Sequence, residues 1–529
     1  MKKIYLAAFA LMGALSAAAQ DTYESGRLLG SDLNGTARYV GMGGAMDALG
    51  ADISTISSNP AGIGFFRHSN ISLSMGVVSQ QDARKFDDLS KTNVSFDQAG
   101  FVYSARISSG SFINVAFNYH KSRNFDQILS AANSLRGASQ NGLTYDKADR
   151  GIYNFDFNKQ GEIIGYEGKD RSWSFSEADY MNANALMLDP DDASIYAIDA
   201  DKYTFDRAHR GWIANYDFNV SGNVNDRFYW GLTVGVKDAN YRGYSEYGES
   251  FVVHHNVDGV EKEFNGGAMV VGDSRKIRGT GLDLTAGIIV RPIEESPFRF
   301  GLSIKTPTWY DLTSSNSTLM ENYSDYGAWD EGKSNESYDF KYYTPWEFGV
   351  SLGHTIGNQV ALGAGYMFSD YSASKNRVNK GDRYWYDDYG YSPSYTDEPM
   401  ERNTERSLEG VHTLKAGIEV KPVPEFGVRL GYNYVSAAYD KSGVRDMTLD
   451  SPGVSYASTT DYVNWGDTHR VTCGLGFKTG GFNVDLAYQY STTKGDFYPF
   501  QTYAGSGSVG VSEVKNNRHQ VLLTLGYTF

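Results

Sequence analysis

Apolar and polar residues alternate strictly over much of the chain, a period that predicts strands with one apolar face. In the last segment His519, Val521, Leu523, Leu525, Tyr527 and Phe529 fall on one side. Gln520, Leu522, Thr524, Gly526 and Thr528 fall on the other. Phe482, Val484, Leu486, Tyr488 and Tyr490 alternate with Asn483, Asp485, Ala487 and Gln489 in the same way. The pattern recurs near 71–78, 99–107, 112–119, 212–220, 228–236, 281–290, 298–305, 346–353, 359–368, 411–420, 426–434, 469–478, 482–491 and 518–529, which makes 14 segments. Most have the roughly 9–11 residues that a tilted strand needs to cross a bilayer.

The connections set the architecture. Short gaps of 3 to 7 residues (108–111, 221–227, 291–297, 354–358, 421–425, 479–481) alternate with gaps of 20 to 92 residues (79–98, 120–211, 237–280, 306–345, 369–410, 435–468, 492–517). A transmembrane barrel has an even number of antiparallel strands, short turns at one end and long loops at the other. A soluble sandwich has no reason to put every long loop at one end. The pattern therefore predicts an all-β, 14-stranded antiparallel transmembrane β-barrel occupying 70–529. Tyr119, Phe368, Tyr434, Tyr490, Trp212 and Trp346 would form an aromatic girdle at its outer interface.

Cost decides which face meets lipid. Charged side chains at the lipid midplane are expensive, so Asp217, Asp283, Arg299, Glu347, Lys415, Glu419, Arg429, Asp485 and Gln489 belong in the lumen, with Arg106 and Asn118. Gly231, Gly235, Gly287, Gly301, Gly349, Gly363, Gly365, Gly417, Gly431, Gly474 and Gly476 share that face. Positions without side chains leave room for an object inside. Cys473, the only cysteine, falls on the opposite face and reads as a lipid-facing small hydrophobe.

Composition agrees. Of 529 residues, 58 are glycine and 39 tyrosine but only 12 proline, and the net charge of −15 disfavours nucleic acid as a partner. At the start, Lys2 and Lys3 precede an apolar run ending in Ala17-Ala18-Ala19, the pattern of a cleaved signal peptide over 1–19. Residues 20–69 lack strand alternation and carry four glycines from Gly35 to Gly44, which suits backbone packed against a confining wall. They read as a hatch in the lumen. Phe529 closes the last strand as an aromatic terminus, the kind of signal that barrel-assembly machinery selects.

The stretch ARYVGMGGAMDALGADISTISSNPAGIGFF, Ala37 to Phe66, resembles the hatch of the outer-membrane long-chain fatty-acid transporters of the FadL type, in a Bacteroidetes-like form. The matching positions are Arg38, Gly41 to Ala45 (with Gly43 and Gly44), Asp52, and Asn59, Pro60, Ala61 and Gly62. Gly301 to Thr308 resembles a family stretch at the end of a middle strand. The resemblance implies passive uptake of long-chain fatty acids or other small hydrophobic compounds across a Gram-negative outer membrane, beside lipopolysaccharide, with the hatch motif as anchor and gate. It implies no cofactor, no metal and no catalytic residue; the ligand-binding residues stay unknown. It also implies a sideways exit through a kink in the third strand, yet Phe112 to Tyr119 holds neither Gly nor Pro to force one.

Alternatives remain. A secretion shuttle or structural barrel holding exported proteins predicts a protein partner, and a haem receptor would use His254-His255. Helices are expected at Asn124–Leu135 and Ala178–Met187 in the longest loop, which is either a packed subdomain or a ligand-capture groove. Gly505-x-Gly507-x-x-Gly510 matches a dinucleotide fingerprint in letters only, without a βαβ context. The acid- and tyrosine-rich stretch Asp382–Asp397 reads as a solvated loop tip.

Overall fold

Alternation becomes wall wherever lipid waits on one side and packed protein on the other. In the computed structural model, Ile71, Leu73, Met75 and Val77 point outward from the first strand, as do Val521, Leu523, Leu525 and Tyr527 from the last. Exposed large hydrophobic side chains like these project from every wall strand, while Asn118, Asp217, Asp283, Glu419 and Asp485 are buried inside. So continuous an exposed apolar belt has no place on a soluble monomer. The structure describes residues 17–18, 20–157, 163–168, 173–189, 194–257, 260–327, 330–380, 394–503 and 507–529.

Among the described residues, fourteen antiparallel strands form the wall. They are β1 (Asn70–Gln80), β2 (Thr92–Ser108), β3 (Ser111–Asn124), β4 (Ala200–Val224), β5 (Phe228–Val257), β6 (Val260–Val290) and β7 (Arg299–Lys305). The rest are β8 (Glu347–Ile356), β9 (Val360–Asp370), β10 (Gly410–Val423), β11 (Phe426–Val435), β12 (Tyr462–Thr479), β13 (Phe482–Tyr498) and β14 (Ser512–Thr528). Each pairs with its neighbours in order, and β14 returns to β1 from Asn70↔Thr528 to Gln80↔Arg518. The cylinder is closed.

Several strands run well past the bilayer. β5 and β6 pair from Phe228↔Val290 to Val257↔Val260, so the expected 237–280 loop is mostly a strand hairpin standing above the membrane. Trp309–Asn322 and Glu331–Tyr343 likewise continue β7 and β8 upward as a paired ribbon, replacing much of the 306–345 loop. Above the membrane these strands can alternate polar with polar, so sequence periodicity misses them. The helix expected at Asn124–Leu135 is instead a strand, Gln127–Ser134, bonded to Lys202–His209 of β4. The open edge of β4 outweighs the weak helical spacing of its apolar residues. The second expected helix is present as α4 (Glu177–Met181) with a wider helical turn over Asn182–Met187.

The outer connections pack into a cap. α3 (Gln140–Asp149), α4 and α5 (Glu398–Ser407) surround one apolar cluster that includes Met181, Met187, Met269, Met320, Met400 and Met447. The longest loop is thus a packed subdomain. Gly507 and Gly510 lie against Arg136–Ala138 and Asn133 in this cap, and Gly505 lies outside the described residues. Residues 1–16 of the signal segment, the 381–393 part of the acidic stretch and the side chains of His254 and His255 also lie outside them.

Two buried carboxyls make the cap sensitive to pH. Glu177 accepts from Asn316 and Ser334 and Glu249 from Tyr247 and the Gln140 amide, yet one oxygen of each has no partner. Burial pushes Glu177 up to about 8 and Glu249 to about 7. A raised carboxyl contributes stability that is complete below its unfolded value and lost as pH climbs through the folded one. Amide exchange in α3 and α4, corrected for intrinsic rates, should therefore speed up several-fold between pH 5.5 and 8.5. Glu177→Gln should flatten that rise; an equally steep rise in the variant contradicts the assignment.

Candidate functional site: the plug and the cavity above it

Residues 20–66 lie inside the barrel, and most of them are buried. Too short of regular structure to hold their own shape, they are folded by caps and by the wall. Asp21 caps α1 (Thr22–Ser25), Thr36 caps α2 (Ala37–Gly41), and Asp52 and Asn59 cap the tight turns Ile53–Ser57 and Pro60–Phe65. Each side-chain oxygen satisfies an amide that a short helix leaves free at its start. The chain descends from the cap towards the short-turn end, where β1 begins.

Glycines in the wall make the fit possible. A Cβ on Gly231 would overlap the Pro60 carbonyl, one on Gly287 the Asn59 side chain, and one on Gly363 the Ala45 carbonyl. At Gly417 and Gly431 it would meet the backbone of Met42 and Gly43, and Gly474 lies against the Cα of Gly41. Backbone meets backbone around much of the circumference. Other lumenal glycines instead clear space for side chains, as Gly235 does for Asp283 and Gly349 for Ser303.

Charge fixes the register. Arg38 makes a two-pronged pair with Glu419 at 3.0 and 3.1 Å, and Glu419 also binds Arg429 at 2.6 Å. Arg429 reaches Asp485 at 2.6 Å, completing a chain from the plug across β10, β11 and β13. Lys415 binds Asp47 at 2.9 Å, and Arg299 donates to the Leu49 carbonyl at 2.6 Å. At the cap end, Arg445 holds Asp21 at 2.7 Å while Arg275 pairs with Glu24.

The motif residues divide between wall and plug. Arg38, Gly41, Gly43, Asn59 and Pro60 touch the wall, with Asn59 Nδ2 3.5 Å from the Ile288 carbonyl. Ala61 packs with Tyr229 and Ile289 of the wall. Asp52, Gly44 and Gly62 act within the plug. Asp52 accepts from Thr36, Gly44 turns at φ 77° against Leu33 and Tyr39, and the Gly62 carbonyl receives the Ala51 amide. Gly41 and Gly43 pack on the wall, whereas the nearest neighbours of Gly44 are side chains of the plug.

Above the plug's middle, its upper segment and the wall enclose a cavity of about 410 Å³. Leu28, Leu29, Phe125 and Ile213 supply apolar surface. Eight Lys and Arg side chains line it against three carboxylates, Asp32, Asp97 and Glu347. Asp283 neutralises Lys237 and Lys305 from behind, Asp47 does so for Lys415, and Asp461 for Arg207. Arg123, Arg470 and Arg518 gather about Asp32, with Arg470 3.9 Å from it. None of these arginines stood out in the alternation pattern, although Arg470 and Arg518 sit on lumenal positions at the outer ends of β12 and β14.

No protein-family model and no curated protein matches the chain. Among solved structures, it is similar to the toluene transporter TbuX of Ralstonia pickettii at 12% identity and a TM-score of 0.46, over 94% of this chain and 99% of that one. A Pseudomonas aeruginosa FadL homologue gives 12% identity and 0.46 over 97% and 99%; the monoaromatic hydrocarbon channel CymD gives 10% and 0.47 over 94% and 98%. The likeness is one of overall course, and the chemistry of the site rests on the residues described above.

If the wall glycines seat the plug, filling one should dislodge it. Gly363→Val is expected to expose Arg38 to trypsin in the folded barrel and raise cleavage there at least tenfold. Gly349→Ala, whose added methyl meets only the movable Ser303 hydroxyl, should leave the plug protected. Equal protection in both variants would mean that the contact does not hold the plug.

Proposed function

We propose that this chain is a passive transporter of a bacterial outer membrane, taking up small hydrophobic compounds, and that a compound with an anionic head, such as a long-chain fatty acid, suits it best. The observation that carries this reading is the lumenal cavity, apolar at Leu28, Leu29 and Phe125 and cationic at Arg123, Arg470 and Arg518. A ligand tail leaving water gains about 0.8 kcal/mol per buried CH₂. A carboxylate set among guanidinium groups adds charge-assisted hydrogen bonds, each worth roughly 1.5–3 kcal/mol. A neutral hydrocarbon would collect the first contribution and leave the arginines to water.

The plug explains why such a compound needs a dedicated protein. With residues 20–66 packed in the lumen, selection falls to the cavity. In this reading Arg38, Gly41, Gly43, Asn59 and Pro60 anchor the plug, and small shifts of its upper segment admit or release ligand. No energy source is required, since the compound moves down its own gradient.

Binding to the purified protein tests the claim. A dansyl-labelled undecanoic acid should bind at least tenfold more tightly than its methyl ester, and toluene should not displace it. Arg470→Met should weaken the acid about tenfold and leave the ester unchanged. Equal affinity for acid and ester, or no binding of either, would contradict the proposal.

A further inference from the structure

The aromatic girdle differs from one side of the barrel to the other. On β9 to β14 it includes three histidines, each held in the same way. The Tyr366 hydroxyl bonds His412 Nδ1 at 2.8 Å, and Tyr432 with His469 and Tyr488 with His519 repeat the pair at the same distance. The register repeats too. His412, His469 and His519 lie directly opposite Phe368, Tyr434 and Tyr490, and the bonded tyrosine is two residues below that ring on its own strand. Each imidazole thus stands between two rings, 5.1 to 5.3 Å from the one opposite. On β2, β3 and β4 the girdle is ring against ring instead, Phe96 with Tyr119 and Tyr119 with Tyr216.

Height makes these imidazoles the first polar groups above the apolar belt. The next outward positions below them are Leu414, Val471 and Val521, all exposed. Those above His469 and His519 are Asp467 and Asn517. His412 and His469 are themselves exposed, and His519 is half-buried. With the phenol as donor to Nδ1, the ring proton sits on Nε2, the nitrogen remote from the tyrosine. Among the described residues nothing bonds Nε2 in any of the three. An N–H at the edge of the hydrocarbon without a protein acceptor needs one from the lipid headgroups. Farther up beside His519, Lys494 and Lys515 face each other and share Glu513, at 3.9 and 3.1 Å. Like charges directly opposite each other repel. Asp496 and Glu513 form the next outward pair, which leaves the lysines on the membrane side of the acids.

We propose that the face formed by β9 to β14 docks a phosphorylated glycolipid of the outer leaflet, its phosphate oxygens accepting from Nε2 of His412, His469 and His519. Lys494 and Lys515 add charge at the His519 phosphate. Spacing selects the partner. Histidines on alternate strands are about 10 Å apart across the sheet. A lipid with one phosphate meets one of them, whereas a headgroup with phosphates on separate sugars meets two. The tyrosines position the donors by fixing tautomer and ring plane. The proposal rests on the outer-membrane reading and not on what the cavity takes.

Binding of fluorescent diphosphorylated lipid A to the full-length barrel in phosphatidylcholine vesicles tests it. Replacing all three histidines (His412→Phe, His469→Phe and His519→Phe) keeps the rings, removes the donors and should weaken binding at least tenfold. The corresponding glutamine triple, whose amide nitrogen takes the place of Nε2, should recover most of that loss. Dephosphorylated lipid A should bind the parent no better than the phenylalanine triple binds the diphosphorylated form. Equal affinity of parent and phenylalanine triple would overturn the proposal, and so would displacement of lipid A by an equal amount of phosphatidylglycerol. If the phenylalanine triple does not fold, His519→Phe alone supplies the reading, with a loss of at least threefold expected and no loss contradicting the site. A parent protein that does not float with the vesicles counts against the membrane reading alone, and binding of lipid A in detergent then decides the phosphate site.

Discussion

A closed barrel of fourteen strands encloses more space than its own inward side chains fill, and this chain fills it with backbone. The contact between the plug's main chain and side-chain-free positions of the wall is what the rest of the structure depends on. Where the two backbones meet, packing is as dense as in a protein interior. It also places the plug's polar groups where only the wall can satisfy them. That is why Arg38, Asp47 and the Leu49 carbonyl each meet a charged partner on a strand.

Once the plug is seated, the charge pattern of the lumen follows. The buried chain Arg38–Glu419–Arg429–Asp485 is balanced, two cations against two carboxylates. Breaking such a chain by removing one member strands a charge, at a cost of several kcal/mol, so it specifies register more than it adds stability. The cavity is different in kind. Its countercharges lie behind the lining for the lysines and Arg207, which turns a set of neutral pairs into a surface that presents cations. Above it, the methionine-rich cap closes the outer end with flexible side chains that repack at small cost.

Much of this was legible in the chain. Strict alternation located all fourteen wall strands, because lipid outside and packed protein inside impose opposite demands at every second residue. The lumenal glycines announced a plug, though not that Gly235 and Gly349 serve side chains instead. What stayed hidden has physical causes. Above the membrane no lipid demands an apolar face, so the upper halves of β5 and β6 left no periodic trace. Ile128 and Leu129 fit a helical face on paper, but the unpaired edge of β4 drew them into a strand. Arg123, Arg470 and Arg518 come from β3, β12 and β14, distant in sequence and converging only through closure.

The central claim is that residues 20–66 occupy the pore, and single-channel conductance tests it most directly. A refolded protein lacking residues 21–66 should insert into planar bilayers and conduct ions at least tenfold better than the full chain, which should be nearly silent. Equal conductance of the two, with both barrels folded, would mean that the plug does not block the lumen and would contradict the account.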